Sequence, residues 1–359
     1  MTVRQLLTHT SGIDAADYAP DDLGNCDNAV ADYVSRLSDV GQLHPPGAMW
    51  SYCNPGFVIV GRIIETLTGA AYGCAVRDRL LHPAGLTSTV LSVDDAVLQP
   101  LAVGHFPASD GSSHVATSRF LLPRCLGPAG STLITTVDDV LRFARLHLAN
   151  GRTDSGAELV AASSIKEMAA HQIDLPVPEL GSFGLGWARN DRGETLVLSH
   201  SGGSVGGLSQ LVLAPELGVG YAAFANSAAS VEFHADLRQD VLNLLHVPQP
   251  PMPQARGRPE PAEFFTGDYQ RRDVDTAIDA DSAELVVTIR PTGSVLGTYT
   301  NASETVVRCQ PIGRGTLGHP SCDGAEPVPL GYAVGEVDGH PSFLFVGGRL
   351  SRRVAAASG

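Results

Sequence analysis

Lysine is almost absent from this sequence: there are 24 basic residues, and Lys166 is the only one that is not arginine. Any chemistry that needs a titratable amine therefore has a single candidate. There is no run of about 18 apolar residues, and MTVRQLLTHT lacks the apolar stretch of a signal peptide, so the chain as written carries no membrane segment and no export signal. Clusters of Arg and Lys are missing as well. A net charge of −14 and a pI near 5.2 disfavour a polyanionic partner, and no nucleic acid is expected. The six cysteines (Cys26, Cys53, Cys74, Cys125, Cys309, Cys322) show neither CxxC nor Cys/His metal spacing, which argues against zinc and a dense disulfide framework. Only Cys309 and Cys322 are close enough for a local bridge, and free thiols are the expected state. No GKS or GKT follows the glycines near residue 202, so a phosphate loop is not expected there. No cofactor and no metal site are expected.

What is present is the composition of a globular protein, 43% hydrophobic and 17% charged over 359 residues, enough to bury a substantial core in two domains. Helical spacing of apolar residues predicts helices over 27–40, 55–67, 71–81, 137–149, 165–171 and 231–245, with Gly41 and Gly69 closing the first two. Residues 194–199, 208–214 and 218–226 read as three successive strands whose short turns imply antiparallel pairing. Helices, then a meander, then a helix fit an α+β layer (an α/β sandwich) in which helices cover one antiparallel sheet. Residues 248–261 hold six prolines and read as an extended linker. Beyond it, 284–290, 305–310, 330–337 and 342–346 read as short strands. The expected organisation is 1–247 as the α+β domain and 262–359 as a small C-terminal all-β, barrel-like domain.

Two short patterns carry the chemistry. A serine is a weak nucleophile until a base takes its proton. Tyr52 is a candidate base, but a free phenol titrates about 3 units above neutrality, so roughly 4 kcal/mol of favourable charge is required to activate one. A neighbouring cation is the usual source. Asn54, two residues on, offers an amide to a substrate carbonyl. A glycine-rich strand edge at His200-Ser201-Gly202-Gly203 lets a substrate backbone approach and supplies an N–H for an oxyanion. Each residue also has a plain structural explanation. Asn54 before Pro55 suits a helix N-cap with proline at N1, Tyr52 suits a half-buried loop aromatic, and His200 a strand-end histidine with its hydrogen bonds met.

Six segments in order change the weighing: TVRQLLTHTSGI (2–13), PPGAMWSYCNPGFVIVGRIIETLTG (45–69), LLHPAGLTST (80–89), PAGSTLITTVDDVLRF (128–143), FGLGW (183–187) and HSGGSVGG (200–207). Together they resemble the serine β-lactamase and penicillin-binding-protein-like hydrolases, which include class C β-lactamases, D,D-peptidases, D-aminopeptidases and esterases. The resemblance implies Tyr52 as proton-transfer residue, Asn54 as substrate-positioning amide and His200 as first residue of the third motif. It implies Ser201 and Gly202 as substrate-binding positions and the Gly203 N–H as half of an oxyanion hole. It also implies that a serine nucleophile, three residues before a lysine, sits on a helix upstream of Thr2, and that this helix and two N-terminal strands complete the core. Histidine rather than lysine at 200 resembles the esterase and D-aminopeptidase branches more than efficient β-lactamases, because a mostly neutral imidazole holds a carboxylate less firmly.

Two decoys compete for the missing serine. Ser163-Ser164-Ile165-Lys166 contains a serine three before the lysine, but it lies between the other two motifs, and Ser164 with Glu167 reads as a capping box. Gly202-Gly203-Ser204-Val205-Gly206 fits GxSxG, yet a nucleophile elbow needs a helix directly after it and a strand-like run follows. The expectation is a serine hydrolase of an ester, amide or β-lactam, acting on a small-molecule or peptide-like substrate through an acyl-enzyme. Residues 1–359 alone are expected to be inactive. Its rivals are a binding module without the nucleophile and an incomplete product. The chain reads as cytoplasmic as written, and as secreted or periplasmic with an upstream segment. The loop 14–25 is a pocket wall by analogy only, and the C-terminal domain is open between shaping the site and a purely structural role.

Overall fold

The computed structural model describes residues 1–14, 23, 26–108, 113–118, 121–248, 257–281, 284–292, 304–319 and 327–354. In chain order the first part contains α1 (Val3–Leu7), α2 (Ala29–Arg36), α3 (Asn54–Thr68), α4 (Tyr72–Val76, continued by a π-turn at Arg77–Leu81), α5 (Val93–Ala96), the small hairpin β1 (His105–Pro107) and β2 (His114–Ala116), α6 (Val137–Leu148) and α7 (Ala162–Ala169). A six-stranded antiparallel sheet follows, its order the order of the chain: β3 (Ile173–Asp174), β4 (Ser182–Phe183), β5 (Ala188–Arg192), β6 (Thr195–Ser204), β7 (Gly207–Ala214) and β8 (Val219–Ala225). Helix α8 (Val231–Leu244) closes this part.

The sheet is covered on both faces because its strands alternate. Leu198 and Leu213 face one side with Ala144 of α6 and Trp187, while Val197 and Val212 face the other with Leu242 of α8. Helix α6 starts where the sequence signals it: Thr136 caps the Asp139 N–H at 3.3 Å, and acidic residues in the first turn and basic ones in the last complement the helix dipole. Asp139 is buried and accepts from the Ser88 N–H and the Thr89 hydroxyl, both at 2.8 Å, and from Arg142 at 2.9 Å. Helix α3 buries Val58, Gly61 and Glu65 at helical spacing. A Cβ on Gly61 would lie 2.2 Å from Pro128, so the glycine permits the close crossing with the 3-10 turn Arg124–Ala129.

After α9 (Ala262–Phe265), eight strands close into an antiparallel barrel in which neighbours in sequence are neighbours in space: β9 (Gly267–Arg271), β10 (Val274–Asp281), β11 (Glu284–Pro291), β12 (Thr305–Gly313), β13 (Thr316–His319), β14 (Val328–Val337), β15 (His340–Val346) and β16 (Arg349–Arg353), with β16 pairing back to β9. Phe265, Tyr269, Ile278, Leu285 and Leu317 fill its centre. The α+β layer and the all-β barrel agree with the fold read from sequence. Strands β9, β10, β13 and β16 were not anticipated.

Several finer expectations are corrected. The first long helix covers only 29–36 before a 3-10 turn at Leu37–Asp39. Helix α7 begins at Ala162 with Ala161 as its N-cap and no side-chain capping bond, so Ser164 lies inside the helix and forms no capping box with Glu167. Glu167 instead pairs with Arg4 at 2.5 Å. Residues 249–256 of the expected linker, Cys322, and most of the loop 14–25 lie outside the described residues. Cys309 is a free, buried thiol, and Cys53 and Cys125 are buried as well.

Candidate active site

The Tyr52 loop is fixed from three directions. Its first anchor is the turn after α1, where His9 adopts φ +54°. The His9 carbonyl accepts the Ser51 N–H at 3.0 Å, and His9 Nδ1 accepts the Cys53 N–H at 3.0 Å, which leaves the proton of the neutral ring on Nε2. The imidazole stacks on Tyr52 with centroids 4.2 Å apart and also touches Phe57, Phe183 and Trp50. Burial, with the nearby His200, pushes the His9 pKa down to about 3. A charged His9 would be stranded among aromatic rings, so the ring stays neutral.

The second anchor is α3. Its N-cap is Cys53 rather than Asn54, which stands within the first turn, so the simple capping explanation of Asn54 does not hold. Asn54 and Tyr52 are both half-buried and border one cavity of about 1530 Å³. The third anchor is the barrel. Val346 pairs with Arg349 across the two-residue turn Gly347-Gly348, and both glycines have positive φ (58° and 78°), as a type I′ turn requires. The Gly348 carbonyl accepts the Tyr52 N–H at 3.0 Å, Ser51 Oγ accepts the Leu350 N–H at 3.1 Å, and the Arg349 guanidinium carbon lies 4.9 Å from the Tyr52 ring centroid.

Strand β6 brings the second motif to this loop: the rings of Tyr52 and His200 are 6.3 Å apart. Burial lowers the pKa of His200 below its ordinary value, so its imidazole is neutral at pH 7. The register fixes where the backbone amides point. Pairing of β6 with β7 ends at Ser204↔Gly207 across the turn Val205-Gly206, and pairing with β5 starts at Arg192↔Thr195 and stops at Ala188↔Ser199. Hydrogen-bonded pairs alternate along an antiparallel ladder, so the Ser201 and Gly203 amides turn away from β7 toward the side on which β5 has ended. Residues 201–204 are exposed. The cavity continues beneath this edge to α6 and around β8.

The residues of both motifs, Tyr52, Asn54, His200, Ser201, Gly202 and Gly203, thus border one cavity. The first decoy does not join them: Ser163, Ser164 and Lys166 are exposed on α7. Ser204 borders the same cavity, but it is followed by a two-residue turn into β7, with no helix, so it stands on no nucleophile elbow. His9 and Arg349 were not singled out from sequence. The HTSG stretch marks the first only as part of a longer match. Gly-Gly between two apolar runs is a hairpin signal that locates the turn before Arg349 but not its docking place. Among the described residues, no group of three His, Cys, Asp or Glu is placed to hold a metal ion, and no single helix is long and apolar enough to cross a membrane.

Known proteins resemble this chain in sequence and in fold. Penicillin-binding protein 4 of Amycolatopsis lactamdurans is 35% identical over 277 residues, covering 76% of this chain and 72% of that protein. Other curated relatives are longer, and the match spans less than half of their length: penicillin-binding protein 4* of Bacillus subtilis is 28% identical over 221 residues, covering 56% of this chain and 46% of that protein. Among solved structures, SurE matches with TM-score 0.75 and 25% identity over 98% of this chain and 79% of its own. The octameric penicillin-binding protein homologue from Pyrococcus abyssi matches with TM-score 0.59 and 18% identity over 98% and 77%, a likeness of fold. The profile of the Beta-lactamase family matches residues 1–245, and the chain belongs to that family.

Proposed function

We propose that this site performs acyl transfer, opening an ester, amide or β-lactam carbonyl through an acyl-enzyme that water then hydrolyses. The observation that carries the reading is the meeting of Tyr52 and His200 at a cavity bordered by the outward-turned Gly203 amide. In this reading a serine hydroxyl attacks the substrate carbonyl and its proton passes through Tyr52 to the leaving group. The Gly203 N–H receives the developing oxyanion, Asn54 holds the acyl-side carbonyl, and Ser201 and Gly202 line up the substrate backbone along β6. The neutral His200 offers hydrogen bonding rather than a full charge, which supports esters and amides over β-lactams as preferred substrates. The relatives named for penicillin binding support a carbonyl substrate of this kind.

The serine belongs, on this proposal, to a helix preceding Thr2 in the family order and seated in the cavity. A second reading, binding without turnover by residues 1–359, is supported by Lys166 lying exposed on α7, away from the cavity.

One experiment separates the two. Residues 1–359, and a chain extended upstream to include a serine three before a lysine, are treated with a fluorophosphonate probe and assayed on p-nitrophenyl esters, nitrocefin and D-amino-acid amides. Covalent labelling and turnover by the extended chain alone, both lost in Tyr52→Phe, are expected. Binding without labelling by both chains refutes the acyl-transfer proposal and leaves the binding module.

A further inference from the structure

We propose that the barrel hairpin Val346–Leu350 is a positioning element of the site and that Arg349 is the positioning residue for Tyr52. This rests on the reading of Tyr52 as the proton-transfer residue. On this proposal the barrel, open between shaping the site and structure alone, takes the first role.

The argument starts from the turn. Consecutive glycines at 347 and 348 take the left-handed conformation that a two-residue hairpin needs, and side chains other than Asn or Asp rarely adopt it. The tip they build is narrow. Gly348 lies beside the Trp50 ring, where an added Cβ would make ordinary van der Waals contact 3.5 Å from Cη2, whereas a Cβ on Gly347 would meet nothing within 4 Å. The tip then supplies what a loop lacks by itself, namely partners for its main chain. Gly348 O takes the Tyr52 N–H, and the next amide along, Leu350 N–H, reaches Ser51 Oγ. Trp50, Phe345 and Leu350 join one buried cluster, so the loop and the hairpin share a core.

Arg349 stands between these two hydrogen bonds and lays its guanidinium over the Tyr52 ring at 4.9 Å. His9, His200 and Arg349 all pack around that ring, from the turn after α1, from β6 and from the barrel. The two imidazoles are held neutral by burial, so of the three Arg349 carries the charge. It therefore both seats the ring and brings to it the cation that the lysine-poor chain does not offer from Lys166.

The test is amide hydrogen exchange of residues 50–53 in the full chain, compared among Gly348→Ala, Gly347→Ala, Arg349→Met and Arg349→Lys. The Tyr52 amide should exchange about tenfold faster in Gly348→Ala and Arg349→Met, with barrel amides such as Leu285 unchanged. Arg349→Lys should keep most of the protection. Gly347→Ala strains the same turn at a residue whose carbonyl accepts from Arg349 Nη1 rather than from the Tyr52 N–H, and should raise exchange at residues 50–53 less than Gly348→Ala does. Unchanged exchange at Tyr52 in both Gly348→Ala and Arg349→Met overturns the proposal, and so does faster exchange spread evenly through the barrel. Once a turnover substrate is in hand, Arg349→Met should lower kcat about tenfold with KM unmoved. A rise in KM alone makes Arg349 a substrate contact and overturns its positioning role. Normal turnover in Tyr52→Phe would instead sink the reading of Tyr52 while leaving the exchange result standing.

Discussion

His9 makes a prediction that can be worked in numbers. It is 1% exposed and its folded pKa is about 3, below the 6.5 of an unfolded histidine. Folding therefore favours the neutral ring. The contribution is present in full above pH 6.5 and drains away as the pH falls toward 3, because the unfolded chain takes up a proton that the folded one refuses. Between pH 7 and pH 4.5 that single difference removes roughly 2 to 3 kcal/mol of stability. His9→Asn tolerates the positive φ and keeps a hydrogen-bond acceptor, but does not titrate. At pH 7 the variant should be less stable by about 2 kcal/mol through lost ring packing. At pH 4.5 it should roughly equal the wild type. Urea unfolding at both pH values, followed by the fluorescence of Trp50 and Trp187, measures this directly, since both indoles are buried in the α+β part. If wild type and His9→Asn lose the same stability between the two pH values, the assignment of a buried neutral imidazole is wrong.

Other outcomes follow from single contacts. His147, whose pKa burial lowers to about 4, should add an acid-dependent loss of the same sign, about 2 kcal/mol between pH 7 and 4.5, removed in His147→Phe and read by the same titration. Asp139→Ala leaves the Ser88 N–H and the Thr89 hydroxyl without their acceptor and should cost about 3 kcal/mol in urea unfolding. Gly151→Ala places a Cβ 1.8 Å from the Val160 carbonyl at φ +86° and should cost at least about 2 kcal/mol, seen as a lowered thermal midpoint. Under native conditions a maleimide should modify the exposed Cys26 and spare the buried Cys53 and Cys125, which peptide mass mapping would report.

The sequence exposes most readily what is local. The sheet's long strands and helices α3, α6 and α8 announce themselves through spacing, and Thr136 and Gly69 mark ends with their own chemistry. The capping-box reading of Ser164 failed because the N-cap is Ala161, three residues earlier, and the helix starts at Ala162, which a Ser-x-x-Glu pattern cannot distinguish. Strands β9, β10, β13 and β16 were missed for another reason. The outward faces of β9, β10 and β16 carry Asp, Gln and Arg, β13 is only the four residues Thr316–His319, and barrel closure rather than intrinsic preference makes them strands. The site shows the same division. Tyr52, Asn54 and His200 lie in recognisable segments, whereas His9 and Arg349 matter through the ring they touch. Arg349 is 297 positions from Tyr52, and no spacing along the chain encodes that encounter.

The hydrogen bond from the Leu350 N–H to Ser51 Oγ joins residues 299 positions apart, which gives the site a place in time as well as in space. Contacts of such separation close late, after the units that present them have folded. The Tyr52 loop is therefore expected to take its final shape only once the barrel hairpin has formed and docked. A release from denaturant that restores the Trp187 core before the Tyr52 loop would be the kinetic signature of that order.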